Sequence, residues 1–452
     1  MLFKKYVRVA ALAASLSLAA VSAHAESLRD ALASAYASNP NIAAALLSVK
    51  ASAEDIAIRR SGKLPTIAGS ATATYNWAVT GGTTTQSTVT QLGLSYRQTL
   101  FDNLKTDAQI EQARAVTVAA AQSLRNAEQN VLLSAATAYA NVVRDTQLVR
   151  LRQDNVAFFQ AQLQSAKDRE SIGEGTRVEV SQAEAGLAQA IAAYQDAIAS
   201  LQTSQASYVR WIGHDPRDLS LDFSFGNMLP SSLNNALNQA EGNHPAILAA
   251  QAQIRAAQSG SDAARAAFGP TLDLIGSICA LNCFGAGSSG MSGSISLQLS
   301  IPIYAGGALG ASVRQANLNQ IKSEVDALNA RDQVRESVFQ AWSGLQNAAA
   351  QIQSALSSER ASQLALDGVI EERNVGQATT LDVLNARSNL TSAREVLISA
   401  RTSQMIASFS LLASTGHLSA EHLSLPVQLR NADGYVQSVE DVWAEVLSLP
   451  DN

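Results

Sequence analysis

Hydrophobic and small polar positions follow the helical period over two unusually long stretches of the chain. From about Asn103 to Arg169, some 67 residues rich in Ala, Gln and Leu run without a proline or glycine. A continuous helix of that length spans on the order of 100 Å, over three times the hydrocarbon thickness of a membrane. A second stretch, from about Gly310 to Arg373, has the same character, with Gly344 and Gly368 as its interior glycines. In the first rod Leu124, Val131 and Ala138 are seven apart, Val149 follows after eleven, and Val156 and Leu163 resume the seven. Heptads impose a left-handed supercoil and elevens relax it, so the mixture predicts nearly straight helices side by side, as in the wall of a cylinder; an ordinary antiparallel coiled coil is the alternative. In the second rod Leu345, Ile352 and Leu366 fit the spacing and Glu359 interrupts it.

Short amphipathic helices precede each rod, at about Ser27 to Ser38 and Ser232 to Glu241, and break at Asn39-Pro40 and His244-Pro245. The residue before a proline is pushed out of the helical region. Second helices follow, about Asn41 to Ser61 and Ala246 to Ala267. The period then changes to two. Ile67, Gly69, Ala71, Ala73, Tyr75 and Trp77 alternate with polar or small residues, and Leu92, Leu94, Tyr96 and Gln98 return after a Gly-Thr-rich tip at Gly81 to Thr85. Further along, Leu272 and Leu274 are answered by Ile295, Leu297, Leu299 and Ile301, across a tip holding Cys279, Cys283 and Gly285 to Gly290. Strands of ~10 residues with this alternation suit a membrane barrel, and equally a soluble hairpin with one buried face. Four strands cannot close on themselves, and open edges in lipid cost several kcal/mol per unpaired group. Either the hairpins lie outside the membrane or several chains share one barrel; three copies supply twelve strands.

The chain is written twice. Ser27-Leu28, Asn39-Pro40 and Leu64-Pro65-Thr66 recur 205 residues later as Ser232-Leu233, His244-Pro245 and Gly269-Pro270-Thr271. Beyond the second hairpin the offset is 203: Phe101 matches Tyr304, Gly173 matches Gly376, and Gly213-His214 matches Gly416-His417. This divides the chain into an export signal (1–25), a first repeat (26–230), a second repeat (231–418) and a tail (419–452).

Composition supports long, closely packed helices rather than separate globular cores: aromatics are 5% and charged residues 15% of 452. Lys4, Lys5 and Arg8, an apolar run from Val9 to Val21 and Ala23-His24-Ala25 have the order of a cleavable export signal. Its removal takes away three positive charges, moving the formal net charge from −6 to −9, which leaves no footprint for nucleic acid. Cys279 and Cys283 are expected to form a local disulfide in an oxidising compartment; with no histidine near them in sequence, a metal site is disfavoured. No Ser-His-Asp set, paired-carboxylate spacing or phosphate loop stands out, so the expectation is a protein that is not an enzyme and needs no cofactor. His214 and His417 fall at equivalent helix ends, where a cation complements the C-terminal dipole.

Each rod ends in a glycine-containing turn, Ile172-Gly-Glu-Gly-Thr-Arg-Val-Glu-Val180 and Val375-Gly-Gln-Ala-Thr-Thr-Leu-Asp-Val383. Gly173 and Gly376 are placed as helix C-caps. Thr176 with Glu179, and Thr379 with Asp382, have the Thr-x-x-acid spacing of a capping box.

These turns, the segment Leu297-Gln-Leu-Ser-Ile-Pro-Ile-Tyr-Ala-Gly-Gly307, Val375 to Ala386 and the duplication resemble the TolC family of outer-membrane efflux and secretion channels, over essentially the whole mature chain. The resemblance implies a mixed α and β membrane protein: a homotrimer with one shared 12-stranded barrel in the outer membrane and a long α-helical tunnel through the periplasm. It implies an equatorial girdle, corresponding to Asp215 to Pro230 and the tail after Ser419. The turns at Gly173, Thr176, Glu179, Gly376 and Thr379 would face a periplasmic adaptor and an inner-membrane transporter. The family's best-known constriction has two acidic positions one helical turn apart and an arginine in the preceding turn. Here Asp382 holds the first position, Asn385 the second, and Ala378 stands for the arginine. One ring of three Asp382 carboxylates and an easier opening are therefore expected. A coiled-coil tether without a channel is the reading from a different class, and it gives no reason for two matched period-two hairpins.

Overall fold

The computed structural model describes residues 26–220, 223, 228–284 and 290–440. The expected export signal and most of the Gly285 to Gly290 tip lie outside them. Helix α1 (Leu28–Ser38) leads into α2 (Pro40–Arg60), strands β1 (Thr66–Thr80) and β2 (Thr83–Phe101), and helices α3 (Lys105–Ser171) and α4 (Arg177–Ile212). The second repeat runs α5 (Leu233–Asn243), α6 (Pro245–Ala266), β3 (Thr271–Phe284), β4 (Gly290–Ser300), α7 (Ala308–Asn374) and α8 (Thr380–Ser414), and α9 (Asp433–Glu440) follows.

Both rods are unbroken helices of 67 residues. Each shorter helix abuts another to make a second column of comparable length. The hydroxyls of Ser34 and Ser38 on α1 donate to the Ile212 carbonyl at 3.0 and 3.3 Å, and the Asn39 amide donates to the Trp211 carbonyl at 3.3 Å. The last carbonyls of α4 are thus satisfied where α2 begins. At the equivalent α8 to α6 junction a Cβ on Gly416 (φ +79°) would come within 2.8 Å of the Asn243 carbonyl oxygen, so the close approach requires glycine. Around α3 and α7 the wall therefore runs α2 with α4, α3, α6 with α8, α7. Glu359, which interrupts the heptads of α7, reaches across to Arg394 of α8 at 3.2 Å.

The two repeats solve the strand-to-rod turn differently. Gly306 and Gly307 take φ of +59° and +83°; their counterparts Asn103 and Leu104 adopt φ of +59° and +66°. Left-handed backbone is uncommon outside glycine, and here the Asn103 amide donates to the Ala266 carbonyl at 3.1 Å while Asp102 accepts from the Thr106 amide at 2.7 Å. The pattern of hydrophobic positions carried no sign of this pair.

Mid-height on the rods, α1 and the tail pack on one face of the wall. Leu28, Leu32 and Tyr36 meet Leu132, Tyr139 and Phe409 in the largest buried cluster, joined by Leu418, Leu423 and Leu425. The Tyr36 hydroxyl accepts from the Arg430 amide at 2.7 Å. His244 caps α6 as Asn39 caps α2: its Nδ1 accepts the Ala246 amide at 3.2 Å, against 3.0 Å at Asn39. Burial holds the His244 imidazole below its ordinary value. A depressed folded value means stability that is complete above about pH 6.5 and lost as pH falls through it. Thermal melts are expected to drop between pH 7.5 and 5.5, and His244→Asn should remove part of that drop; an unchanged slope would show that the cap survives protonation.

The strands form one antiparallel sheet in the order β1-β2-β3-β4, each longer than the ~10 residues expected. Gly81 and Gly82, both with positive φ, make a two-residue hairpin turn. The register aligns Ile67, Tyr96, Gly276 and Ile295 in one row and Ala68, Ser95, Ser277 and Ser294 in the next. Successive side chains of a strand point to opposite faces, so one face is apolar and the other polar.

Register also corrects the expected disulfide between Cys279 and Cys283. Both lie within β3 rather than in a loop, opposite Gly93 and Val89. Four strand residues span about 13 Å, twice the ~7 Å limit for Cα atoms joined by a disulfide. Cys279 is a free thiol within 2.6 Å of the Gln91 amide nitrogen. Non-reduced peptide mapping after alkylation is expected to find both cysteines alkylated; a linked Cys279–Cys283 peptide would mean that β3 ends earlier.

Candidate functional site

The two glycine-containing turns lie side by side at the end of the rods remote from the sheet. Gly173 and Gly376 take φ of +81° and +82°. The amides after them fold back onto the rods: Glu174 and Gly175 bond the Arg169 carbonyl at 2.9 and 3.0 Å, and Gln377 bonds that of Glu372 at 2.8 Å. The next helix starts on a threonine in both repeats. Thr176 accepts from the Glu179 amide at 3.3 Å, but the Glu179 carboxylate does not complete the box, and its Oε2 is buried without a hydrogen-bond partner among the described residues. At Thr379 the box is complete. Asp382 Oδ2 accepts from the Thr379 hydroxyl at 2.6 Å and amide at 2.8 Å, while Thr379 Oγ1 accepts from the Asp382 amide at 3.2 Å.

Asp382 is fully exposed, and the hydrogen bonds from the Thr379 hydroxyl and amide hold its carboxyl below the usual carboxylate range. Asn385, one turn on, shares its exposed face, and neighbouring Val383 and Leu384 are buried. The exposed line continues along α8 through Asn389, Ser392, Val396, Ser399 and Ser403. Asp382 is therefore the single charge on that line. Ala378, standing where an arginine was implied, offers no cation to it.

What joins the two hairpins is a group of residues that sequence reasoning missed. Arg387 Nε donates to Asn155 Oδ1 of α3 at 3.2 Å, and its guanidinium lies 4.7 Å from the Phe158 ring centroid. The Thr391 hydroxyl donates to the same Asn155 oxygen at 3.0 Å. Nearer the tip Arg373 donates to Gln162 at 2.8 Å, and further up Arg152 pairs with Glu395 at 2.5 Å. Within the first helical hairpin Phe159 of α3 packs against Gly186 of α4, where a Cβ would fall 2.6 Å from its ring; across to the second, Phe159 meets Leu384, and Phe158 packs on the small core of Leu366, Val383 and Leu390. One signal was available: Arg387, Arg394 and Arg401 recur every seven residues on an otherwise uncharged helix face.

A model of the outer membrane efflux protein family matches residues 31–214 and 236–417, one segment in each repeat. The chain belongs to the outer membrane efflux protein family. It is 36% identical over 448 residues to the outer membrane efflux protein BepC of Brucella suis, covering 97% of this chain and 96% of that one. With the outer membrane protein TolC of Escherichia coli it shares 25% identity over 421 residues, 88% of this chain and 84% of the relative. Its fold is similar to the crystal structure of the Campylobacter jejuni CmeC outer membrane channel, with a TM-score of 0.78 at 17% identity, over 92% of this chain and 89% of that one. This efflux family consists of channel proteins rather than enzymes, and the protein is an outer-membrane channel component with a long periplasmic part.

Proposed function

We propose that three copies of the chain assemble into a passive exit duct, closed at its periplasmic end by Asp382 and held shut by the links between the hairpins. The observation that carries this reading is the sheet. β1 and β4 are both edges, 15 and 11 residues long, and every residue of each is exposed. In lipid neither edge can stay open, and β4 of one copy has β1 of the next as its natural partner. Three copies give twelve strands and, beneath them, twelve helix columns. Exposed apolar residues on α7 (Leu318, Ile321, Leu328) and on α2 (Leu47, Ile58) then meet at the seams between copies.

Energy for transport comes from an inner-membrane transporter, which with a periplasmic adaptor engages the turns around Gly173, Thr176, Glu179, Gly376 and Thr379. Three Asp382 carboxylates converging on the axis repel one another and attract cations, and Asn385 adds a ring of hydrogen-bonding groups without charge. The partnership serves efflux or type I secretion.

The test is single-channel conductance of the purified protein in planar bilayers, for wild type and Asp382→Ala. A small, cation-preferring wild-type conductance that rises and loses its selectivity in the variant is expected. Removing the capping carboxylate also loosens the start of α8, so Thr379→Ala, which loosens the same turn but keeps the charge, separates the two effects. A large wild-type conductance unchanged by the substitution would place the gate elsewhere. Silence of all variants from folded protein would return the tether.

A further inference from the structure

On the wall face opposite the equatorial belt, α3, α7 and α8 enclose a groove of about 770 Å³ that lies over α8. The belt packs on Leu132, Tyr139 and Phe409; the groove is lined from the other side of the same helices by Gln129, Asn130, Gln340, Asn347, Gln351 and Ser410 among others. Its volume falls within the ~300–1,000 Å³ of small-molecule sites. Six amide and four hydroxyl side chains line it, and no Asp, Glu, Lys or Arg does. His244 is its titratable member, with Nδ1 engaged by the Ala246 amide. Gln129 is 4% exposed, yet its amide makes no hydrogen bond with any described residue. What little of Gln129 is accessible includes its polar end, which faces the groove.

We propose that this groove is a binding station on the exit path for uncharged, hydrogen-bond-rich solutes of oligosaccharide character. The proposal rests on the duct reading, which makes this face the lumen. Amides and hydroxyls present donors and acceptors together, and so match chains of hydroxyl groups without favouring either sign of charge. Alanines 341, 407 and 413 with Leu133 and Ile406 provide the apolar floor between them. A wall that exchanges water hydrogen bonds for solute ones at little net gain holds its cargo briefly, as a conduit requires. Charge discrimination is left to Asp382, which lies some 20 residues before the groove's Ser403, at the start of α8.

The probe is raffinose, a neutral trisaccharide, followed by saturation-transfer NMR on the full-length protein in an amine-oxide detergent that carries no sugar headgroup. Wild type and Asp382→Ala are expected to transfer saturation to raffinose equally. Gln129→Leu should lose the signal several-fold. Because Gln129 is buried and its replacement could disturb folding, Gly344→Phe is the second variant: a Cβ there meets no atom within 4 Å, so a ring can fill the groove without touching the core, and it should abolish the signal too. Raffinose binding that survives both groove variants overturns the proposal. So does absent binding in wild type while Asp382→Ala conducts as described, a result that leaves the duct intact. Spermine, a cationic probe of comparable length, should depend on Asp382 and be indifferent to Gly344→Phe; the reverse dependence overturns the division of labour.

Discussion

Ile295→Arg is expected to abolish the assembled channel in the outer membrane. Ile295 stands at the middle of β4 in the apolar row with Ile67 and Tyr96, and it is 85% exposed in the single chain. Its own chain leaves it nearly bare, and in the proposed barrel lipid covers it. An arginine on the lipid face near the bilayer midplane costs about 2–4 kcal/mol. Carried by three copies in one barrel, this becomes roughly 6–12 kcal/mol, as large as the whole stability of a typical fold. Ser294→Arg, one residue earlier, points to the polar face beside Ser277, whose hydroxyl lies 2.9 Å from that of Ser294. It should be tolerated with the loss of that one hydrogen bond. Outer-membrane fractionation, combined with electrophoresis of unheated samples to reveal the oligomer, checks both. Equal assembly of the two variants would mean that the apolar face is not the lipid face.

Arg387→Ala is expected to open the duct. The guanidinium contributes a charge-assisted hydrogen bond to Asn155, worth about 1.5–3 kcal/mol, and covers the Phe158 ring for another ~0.5–2 kcal/mol. Asn155 is 5% exposed and would keep Thr391 as its remaining partner. Since ~1.4 kcal/mol shifts a two-state equilibrium tenfold, loss of this clasp should raise the open probability by at least about tenfold in single-channel records. Arg387→Lys keeps the charge without the planar stacking surface and should fall between. Combining Arg387→Ala with Asp382→Ala should give less than the sum of the two effects, because both release the same end of α8. Conductance indistinguishable from wild type would show that α3 and α8 move as one body and that opening uses other contacts, with Arg373–Gln162 and Arg152–Glu395 the next to examine.

The elements were legible in the sequence wherever a local rule was strong. Runs of over sixty residues with helical spacing and few or no glycines or prolines read as helices, and both rods end within a few residues of the expected places. Asn39-Pro40 and His244-Pro245 marked helix starts because a proline needs no amide partner in the first turn. The Thr379 and Asp382 spacing is realised as a reciprocal cap; the matching Thr176 and Glu179 spacing is only half realised, since the Glu179 carboxylate turns away. The disulfide expectation failed because spacing in a sequence says nothing of extension. Four residues that would meet in a loop are held far apart by a strand, and where β3 ended depended on pairing with β2.

By itself, then, the sequence determined the duplicated plan, the two rods, the paired hairpins with one apolar face, and the exposed Asp382 at a helix start. Each follows from short-range preferences or periodicity, which act within a few residues. Tertiary structure alone decided which helices abut to extend a column, that Asn103 and Leu104 take up the backbone strain their glycine counterparts avoid, and that Arg387 finds Asn155 and Phe158 on a helix more than 200 residues away. It also decided that the amides of Gln129 and its neighbours face an open groove. Those facts depend on which faces meet when the two repeats pack, and no local pattern encodes the partner of a side chain across a wall.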